Sequence, residues 1–296
     1  MASRRFRRAR RAATLTLCLS LLAAAPAAAS PYSDAVRADG AVNYLRLGDA
    51  PGSKALLNSG VVPPGPFSRL APASADTSTR GPALGQPGAL AGDADTAAHF
   101  DGTLPKGSAG APAIVFGQER SLEQQHLSWE AWVKPGLVDT TSRRVMANEE
   151  PWGGTLLAAR RDGIVFARYL NPGDYQMGSP DSHSFAVVPK QIWGTLTAPL
   201  VPGRFNHVVA TYDSANPTTA PQGTMRLYVN GVLAASRRSD FLPVLPRVSS
   251  YAYVAIGSNT TGWLRYDGGL DEVATYTRTL SAAEVAEHYR IGTTGR

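Results

Sequence analysis

The residues best placed to do chemistry are three acids. Glu130 lies in Leu127-Ser-Trp-Glu-Ala-Trp-Val-Lys, and Asp271 and Glu272 are neighbours in Leu270-Asp-Glu-Val. Glycoside hydrolysis needs two carboxyl groups flanking one bond. Acids two positions apart on one strand share a face and could supply such a pair locally. Glu130 has no such companion, and adjacent acids on a regular strand point to opposite faces, so Asp271 and Glu272 do not form a pair. No Gly-x-Ser-x-Gly elbow and no His-Glu-x-x-His zinc motif occur. His99, His126, His183, His207 and His288 are scattered. No local catalytic constellation is therefore present, and a polysaccharide hydrolase or lyase would need acids brought together only by the fold.

Recognition chemistry is better supplied. A pyranose presents an apolar face ringed by hydroxyls, which suits an aromatic ring beside polar groups. Trp152 lies in Glu149-Glu-Pro-Trp-Gly-Gly and Tyr175 in Asn171-Pro-Gly-Asp-Tyr-Gln. Trp193, and Trp263 with Tyr266 in Ser258-Asn-Thr-Thr-Gly-Trp-Leu-Arg-Tyr, complete the set. Each of these five also suits a loop anchor on the edge of a sandwich. Trp129 belongs to an apolar strand face and is expected in the core. Trp132, on the other face of that strand, is open to either role.

Strands must position these residues. In Leu127 to Lys134, Leu127, Trp129, Ala131 and Val133 face one way and Ser128, Glu130, Trp132 and Lys134 the other. Gly203 to Asp213 reads as a second long strand. Met225 to Ser236 reads as a hairpin, with Asn230-Gly231 supplying the positive φ angles of a tight turn. Tyr251–Gly257 and Gly269–Thr277 follow, with weaker strands at Val42–Leu47, Ala97–Phe100, Ala113–Phe116, Val145–Asn148, Thr155–Arg160, Ile164–Tyr169 and Ser184–Val188. Gly and Pro between short strands indicate an antiparallel sandwich. Two helices are expected: a short one at Asp34–Ala38 with Ser33 as cap, and one after Ser281. There Glu284 completes a capping box and Gly292 is the expected stop. Residues 59–92, rich in Pro, Gly, Ala and Ser, read as an irregular surface insertion.

Residues 1–29 read as a secretion signal. Six arginines precede the apolar run Ala12–Leu22, and Ala27-Ala28-Ala29 offers a cleavage site. An uncleaved anchor and twin-arginine export are the alternatives. The chain holds 29 basic and 23 acidic residues, a net +6. All six arginines fall in the signal, which has no acid, so residues 30–296 carry 23 of each sign. That balance leaves no basic footprint for nucleic acid. Cys18 is the only cysteine, which excludes disulfides and thiolate metal sites after cleavage. No later apolar run suits a membrane span, so an extracellular protein with no membrane segment is expected.

Six segments in order resemble the secreted bacterial, laminin-G-like form of the concanavalin-A-like lectin/glucanase superfamily. They are Val42-Asn-Tyr-Leu-Arg-Leu-Gly-Asp, Asp95-Thr-Ala-Ala-His-Phe-Asp-Gly, Ser128-Trp-Glu-Ala-Trp-Val-Lys-Pro, Asn206-His-Val-Val-Ala-Thr-Tyr-Asp, Met225-Arg-Leu-Tyr-Val-Asn-Gly-Val and Tyr266-Asp-Gly-Gly-Leu-Asp-Glu-Val-Ala-Thr-Tyr. Leu45 departs from the Trp that this family often carries, and residues 59–92 have no obvious counterpart. The resemblance implies an all-β, two-sheet antiparallel jelly roll over residues 30–296 with a short C-terminal helix. It also implies a structural calcium ion (Ca2+) near the acids before Phe100 and the acid of the Leu-Asp-Glu-Val segment. The matching positions are Asp93, Asp95 and Asp271. Gly92-Asp-Ala-Asp offers two carboxylates and a carbonyl of the kind calcium takes. The function expected is non-catalytic recognition of an extracellular or cell-wall glycan. A protein-binding adhesion module is the alternative, because this fold hosts both.

Overall fold

The computed structural model describes residues 29–61, 73–75, 82–103, 114–116, 126–136, 138–150, 153–171, 192–216, 220–239, 242–243, 254–259 and 262–296. The expected signal before Ala29 and the expected strand Ser184–Val188 lie outside them. In chain order the first elements are α1 (Pro31–Ala38), β1 (Asn43–Leu45), β2 (Ala55–Leu56), β3 (Ala73–Ala75), β4 (Ala83–Pro87), β5 (Thr96–Phe100) and β6 (Ile114–Phe116). Next come β7 (Leu127–Pro135), β8 (Arg143–Glu150), β9 (Gly153–Arg160), β10 (Gly163–Asn171), β11 (Ile192–Ala198) and β12 (Asn206–Asn216). The last are β13 (Ala220–Val229), β14 (Val232–Ser239), β15 (Leu242–Pro243), β16 (Val254–Ile256), β17 (Gly268–Tyr276) and α2 (Ala282–Thr294).

The strands form two antiparallel sheets. One runs β14-β13-β12-β7-β17-β5-β4, with β1 also paired to β17. The other runs β11-β10-β9-β8-β16-β6-β3-β2, with β15 beside β10. This is the expected jelly-roll sandwich. Its interior takes Leu127, Trp129, Ala131 and Val133 from β7, Val208 and Ala210 from β12, and Leu157, Ile164, Phe166 and Ile256 from the facing sheet. The hairpin turn forms as read, with Asn230 at φ 53° and Gly231 at φ 77°.

The second face of β7 is not solvent. α1 and α2 lie over it, and a separate apolar cluster joins Tyr32 and Val36 of α1 and Val285 and Ile291 of α2 to Trp132, Val209 and Tyr276. Ser128, Glu130 and Trp132 are therefore buried too. Alternation identifies two faces of a strand, but it does not say that a helix covers the polar one.

Three local expectations change. Residues 59–92 contain β3, which extends the second sheet, and β4, which pairs with β5 in the first; this insertion is partly strand. α1 starts earlier than expected: Ser30 is its cap, Pro31 begins it, and Ser33 is the third residue of a capping box. α2 is capped by Ser281 and Glu284 as read, but it passes through Gly292 and ends at Gly295, which takes the left-handed conformation (φ 73°). Gly292 serves packing instead. A Cβ there would lie 2.4 Å from the Trp132 ring.

Candidate functional site

Among the five aromatics expected to bind sugar, the structure describes the side chains of two. Trp152 and Tyr175 lie outside the described residues, and Trp193 is placed on β11 without a described side chain. Trp263 is 42% exposed on a tight loop in which its N–H donates to Asn259 Oδ1 (2.6 Å). Tyr266 is a correction. It is fully buried in the inter-sheet core, its hydroxyl donates to the Gly269 carbonyl (3.2 Å), and its ring meets Phe100 edge-on. The two aromatics of this segment thus part company, because the chain turns inward between them to start β17.

Two of the three expected calcium acids, Asp93 and Asp95, pair with a cation that the chain itself supplies. Arg46 leaves β1 with its guanidinium 2.6 Å from Asp93, 2.8 Å from Asp95 and 3.2 Å from Glu272. Burial works against charge on Arg46, but Glu272 and Asp95 hold it charged. Gly48 makes room for this cluster: a Cβ there would sit 1.5 Å from Asp95 Oδ1. Asp271 does not join it. Asp271 Oδ2 accepts the Ala89 N–H (2.8 Å) and Oδ1 accepts the Glu272 N–H (3.0 Å). Burial first, and Glu272 second, push the Asp271 carboxyl well above its usual range. The set Asp93, Asp95 and Asp271 is not arranged as one calcium site: Asp93 and Asp95 both pair with Arg46, Asp271 anchors a loop, and no group of three or more His, Cys, Asp or Glu among the described residues is placed to hold a metal ion.

Glu272 also breaks the simple strand pattern. It has φ 51°, and the register of β17 against β7 shifts between Asp271 and Ala274. This bulge inserts one extra residue. Leu270 and Val273 still reach the sandwich core, while Glu272 meets Tyr44 and Arg46 on the helix-covered side. Asp271, opposite Trp132, lies on that side as well. The two acids expected on opposite faces share one, but both are sealed from solvent.

Glu130 is the hub of the same face. Its carboxylate accepts from Tyr32 (2.8 Å), Tyr276 (2.6 Å), His207 Nε2 (2.7 Å) and His288 Nδ1 (3.0 Å). His288 Nε2 donates onward to Asp39 (3.0 Å). Burial would raise the Glu130 carboxyl, but the His288 charge and the histidine hydrogen bonds hold it well below its usual range. Burial likewise opposes charge on His288, yet Glu130 and then Asp39 raise it to about 9. The group ties β7 to α1, α2 and β12. No solvent reaches Glu130, so it has no access to a substrate.

Two open clefts flank the loop that Asp271 anchors. This loop, Gly88 to Ala91, is also tied to α2 by the Ala91 N–H on the Gly292 carbonyl (2.8 Å). On one side lies a cleft of 670 Å³ walled by Ser30, Pro51, Ile291 and the carboxylates Asp49, Asp93 and Asp95. On the other lies a cleft of 440 Å³ between α2, the same loop and the start of β12. Its walls include Trp132, Phe205 and Tyr289, with Lys134, Arg204 and Asn230 beside them. Trp132 and Tyr289 stack at 6.0 Å with 23° between planes, and Lys134 Nζ lies 5.8 Å from the Phe205 ring centre. Sequence reading missed Phe205 and Tyr289. They come from different elements with no fixed spacing, and only the docking of α2 brings them to Trp132.

A family model described as the Concanavalin A-like lectin/glucanases superfamily matches residues 108–286. A search of curated protein sequences finds no match. Among solved structures, the chain is similar to domain 4 of AbnA, a GH43 extracellular arabinanase from Geobacillus stearothermophilus, in complex with arabinotriose. The TM-score is 0.52 at 17% identity, covering 84% of this chain and 98% of that one. It is also similar to the binding domain of Paraclostridial Mosquitocidal Protein 1, with TM-score 0.51 and 14% identity over 85% of this chain and 52% of that one. The botulinum neurotoxin type G receptor binding domain gives TM-score 0.50 at 13% identity, over 85% of this chain and 51% of that one. At these identities the likenesses establish the fold. The family match spans more than half of the sequence and agrees with the two-sheet topology, so the chain belongs to the concanavalin A-like lectin/glucanases superfamily.

Proposed function

We propose that the protein is a secreted, non-catalytic recognition module that binds carbohydrate. The observation that carries this reading is the 440 Å³ cleft, in which Phe205 and Tyr289 stand beside polar side chains. Its volume lies in the range of small-ligand sites, about 300–1,000 Å³, and partly exposed rings beside polar groups suit a pyranose. The superfamily supports the same reading, as does a structural neighbour whose domain was solved with arabinotriose. A non-catalytic role is supported by the burial of Glu130, Asp271 and Glu272. Export rests on the sequence of residues 1–29; no helix among the described residues is long and apolar enough to cross a membrane. For the cation our reading is that Arg46, not calcium, is the counter-ion shared by Asp93 and Asp95.

The test is a glycan array and a polysaccharide pull-down, each with and without calcium. Binding to at least one glycan family, weakened in Phe205→Ala and Tyr289→Ala, is the expected result. Blank arrays in both conditions, or release of reducing ends from cell-wall polymers, would overturn the reading. A second reading has its own observation: Val232 and Leu233 are exposed on β14, the edge of the first sheet. An apolar edge strand is a template for another chain, and Val232→Lys would abolish protein capture there while leaving glycan binding intact.

A further inference from the structure

We propose that the cleft beneath α2 takes an acidic sugar, a pyranose carrying a carboxylate or a sulfate ester. This inference rests on the glycan reading and narrows it. Lys134 and Arg204 are exposed at the cleft, and neither has a carboxylate partner among the described residues. No acid among the described residues lines this cleft. The absence is local, because residues 30–296 balance 23 basic against 23 acidic residues. It is sharpened by the neighbouring cleft, which shares Leu90 and Ala91 as a wall but carries Asp49, Asp93 and Asp95. An anion is thus repelled on one side of a thin loop and attracted on the other.

The remaining walls are those of a sugar site and not of a bare anion site. Phe205 and Tyr289 present ring surface, and the Tyr289 hydroxyl has no hydrogen-bond partner among the described residues. Behind them the indole Nε1 of Trp132, a residue 2% exposed, is also without a hydrogen-bond partner among the described residues. Lys134 reaches the anion as a point charge and Arg204 as a planar fork, while the rings take the apolar face of the sugar. The cleft of 440 Å³ exceeds what a lone inorganic anion fills and suits one or two sugar residues.

The experiment is calorimetric titration of the full mature chain with paired probes. The carboxylated probes are trigalacturonate and 3′-sialyllactose; sulfated lactose is the second acidic arm; lactose and maltotriose are the neutral controls. Acidic probes should bind at least about tenfold more tightly than neutral ones, and each of Lys134→Met and Arg204→Gln should remove about tenfold from the acidic probes only. Binding should weaken with added salt. Both side chains are exposed, so melting temperature checks that these variants stay folded. Carboxylated and sulfated arms tell which acidic group the cleft prefers. Equal affinity for neutral probes, or unchanged affinity in both variants, overturns the acidic assignment while leaving the glycan reading standing. Competition by acetate or sulfate alone at equal strength overturns the sugar. No binding by any probe overturns both.

Discussion

Glu130 shows how a residue with the look of a catalytic acid becomes a structural one. Four donors, one of them an imidazolium, converge on it in a solvent-free space. Removing one partner of a buried charge network costs about 3–5 kcal/mol, because the others are left uncompensated. The pairing also sets a pH range. His288 is raised from 6.5 to about 9, so its contribution is complete below pH 6.5 and is lost as pH rises through about 9. Glu130 is depressed below 4.5, so its contribution is complete above pH 4.5 and is lost only as pH falls through the depressed value. The Glu130–His288 contribution is therefore expected to be full between pH 4.5 and 6.5 and to fall toward pH 10. The Glu272 carboxyl, raised to about 8, adds its own loss as pH rises from 4.5 through about 8. Glu130→Gln should lower the melting temperature throughout and flatten the alkaline limb. An alkaline limb equally steep in that variant would assign the loss to other groups.

At the scale of elements, α2 is the piece that makes the cleft. Its N-terminus is held by a reciprocal Ser281–Glu284 cap and its C-terminal half lies on Trp132 through Gly292. Two effects oppose each other at Gly292. Alanine is preferred over glycine within a helix by about 1 kcal/mol. Here its methyl would stand 2.4 Å from a fixed, buried indole, and overpacking of that kind costs about 1–3 kcal/mol. The steric term is expected to win, so Gly292→Ala should lower stability in urea denaturation by about 1–2 kcal/mol. A gain in stability would mean that α2 is free to lift. The hairpin turn is seated by the same helix, because a Cβ on Gly231 would lie 3.0 Å from Tyr289. The turn was legible in Asn230-Gly231 alone, whereas its docking partner was not.

For the whole molecule, no disulfide within the chain contributes to stability, since the only cysteine is Cys18. One apolar core lies between the sheets and a second lies under the helices. Arg46 is the cation at the edge where β1, β17 and the Asp93–Asp95 loop meet. With that charge in place, a chelator is expected to leave the melting temperature unchanged, while Arg46→Met should lower it sharply by leaving three acids without their counter-charge. A fall of several degrees with chelator alone would place calcium among these acids after all.

Period-two patterns, Asn230-Gly231 and the Ser281 cap were enough to read a two-sheet sandwich with a C-terminal helix, because each depends on neighbours within a few residues. The same local reasoning separated the two faces of β7 correctly. It could not see that α1 and α2 cover the second face, nor that a bulge turns Glu272 to the side of Asp271, since one inserted residue reverses strand alternation beyond it. Nor could it gather Trp132 and Lys134 of β7, Arg204 and Phe205 ahead of β12, Tyr289 of α2 and the Gly88–Ala91 loop. What the sequence determined by itself was the long central strands, the hairpin, the C-terminal helix and the absence of a local catalytic motif, while β2, β3, β4, β11 and β15 escaped it because they are short or carry no clear alternation. The tertiary structure alone decided which acids are sealed, which cation pairs with them and where an aromatic, basic cleft opens, because those depend on packing between segments far apart in the chain.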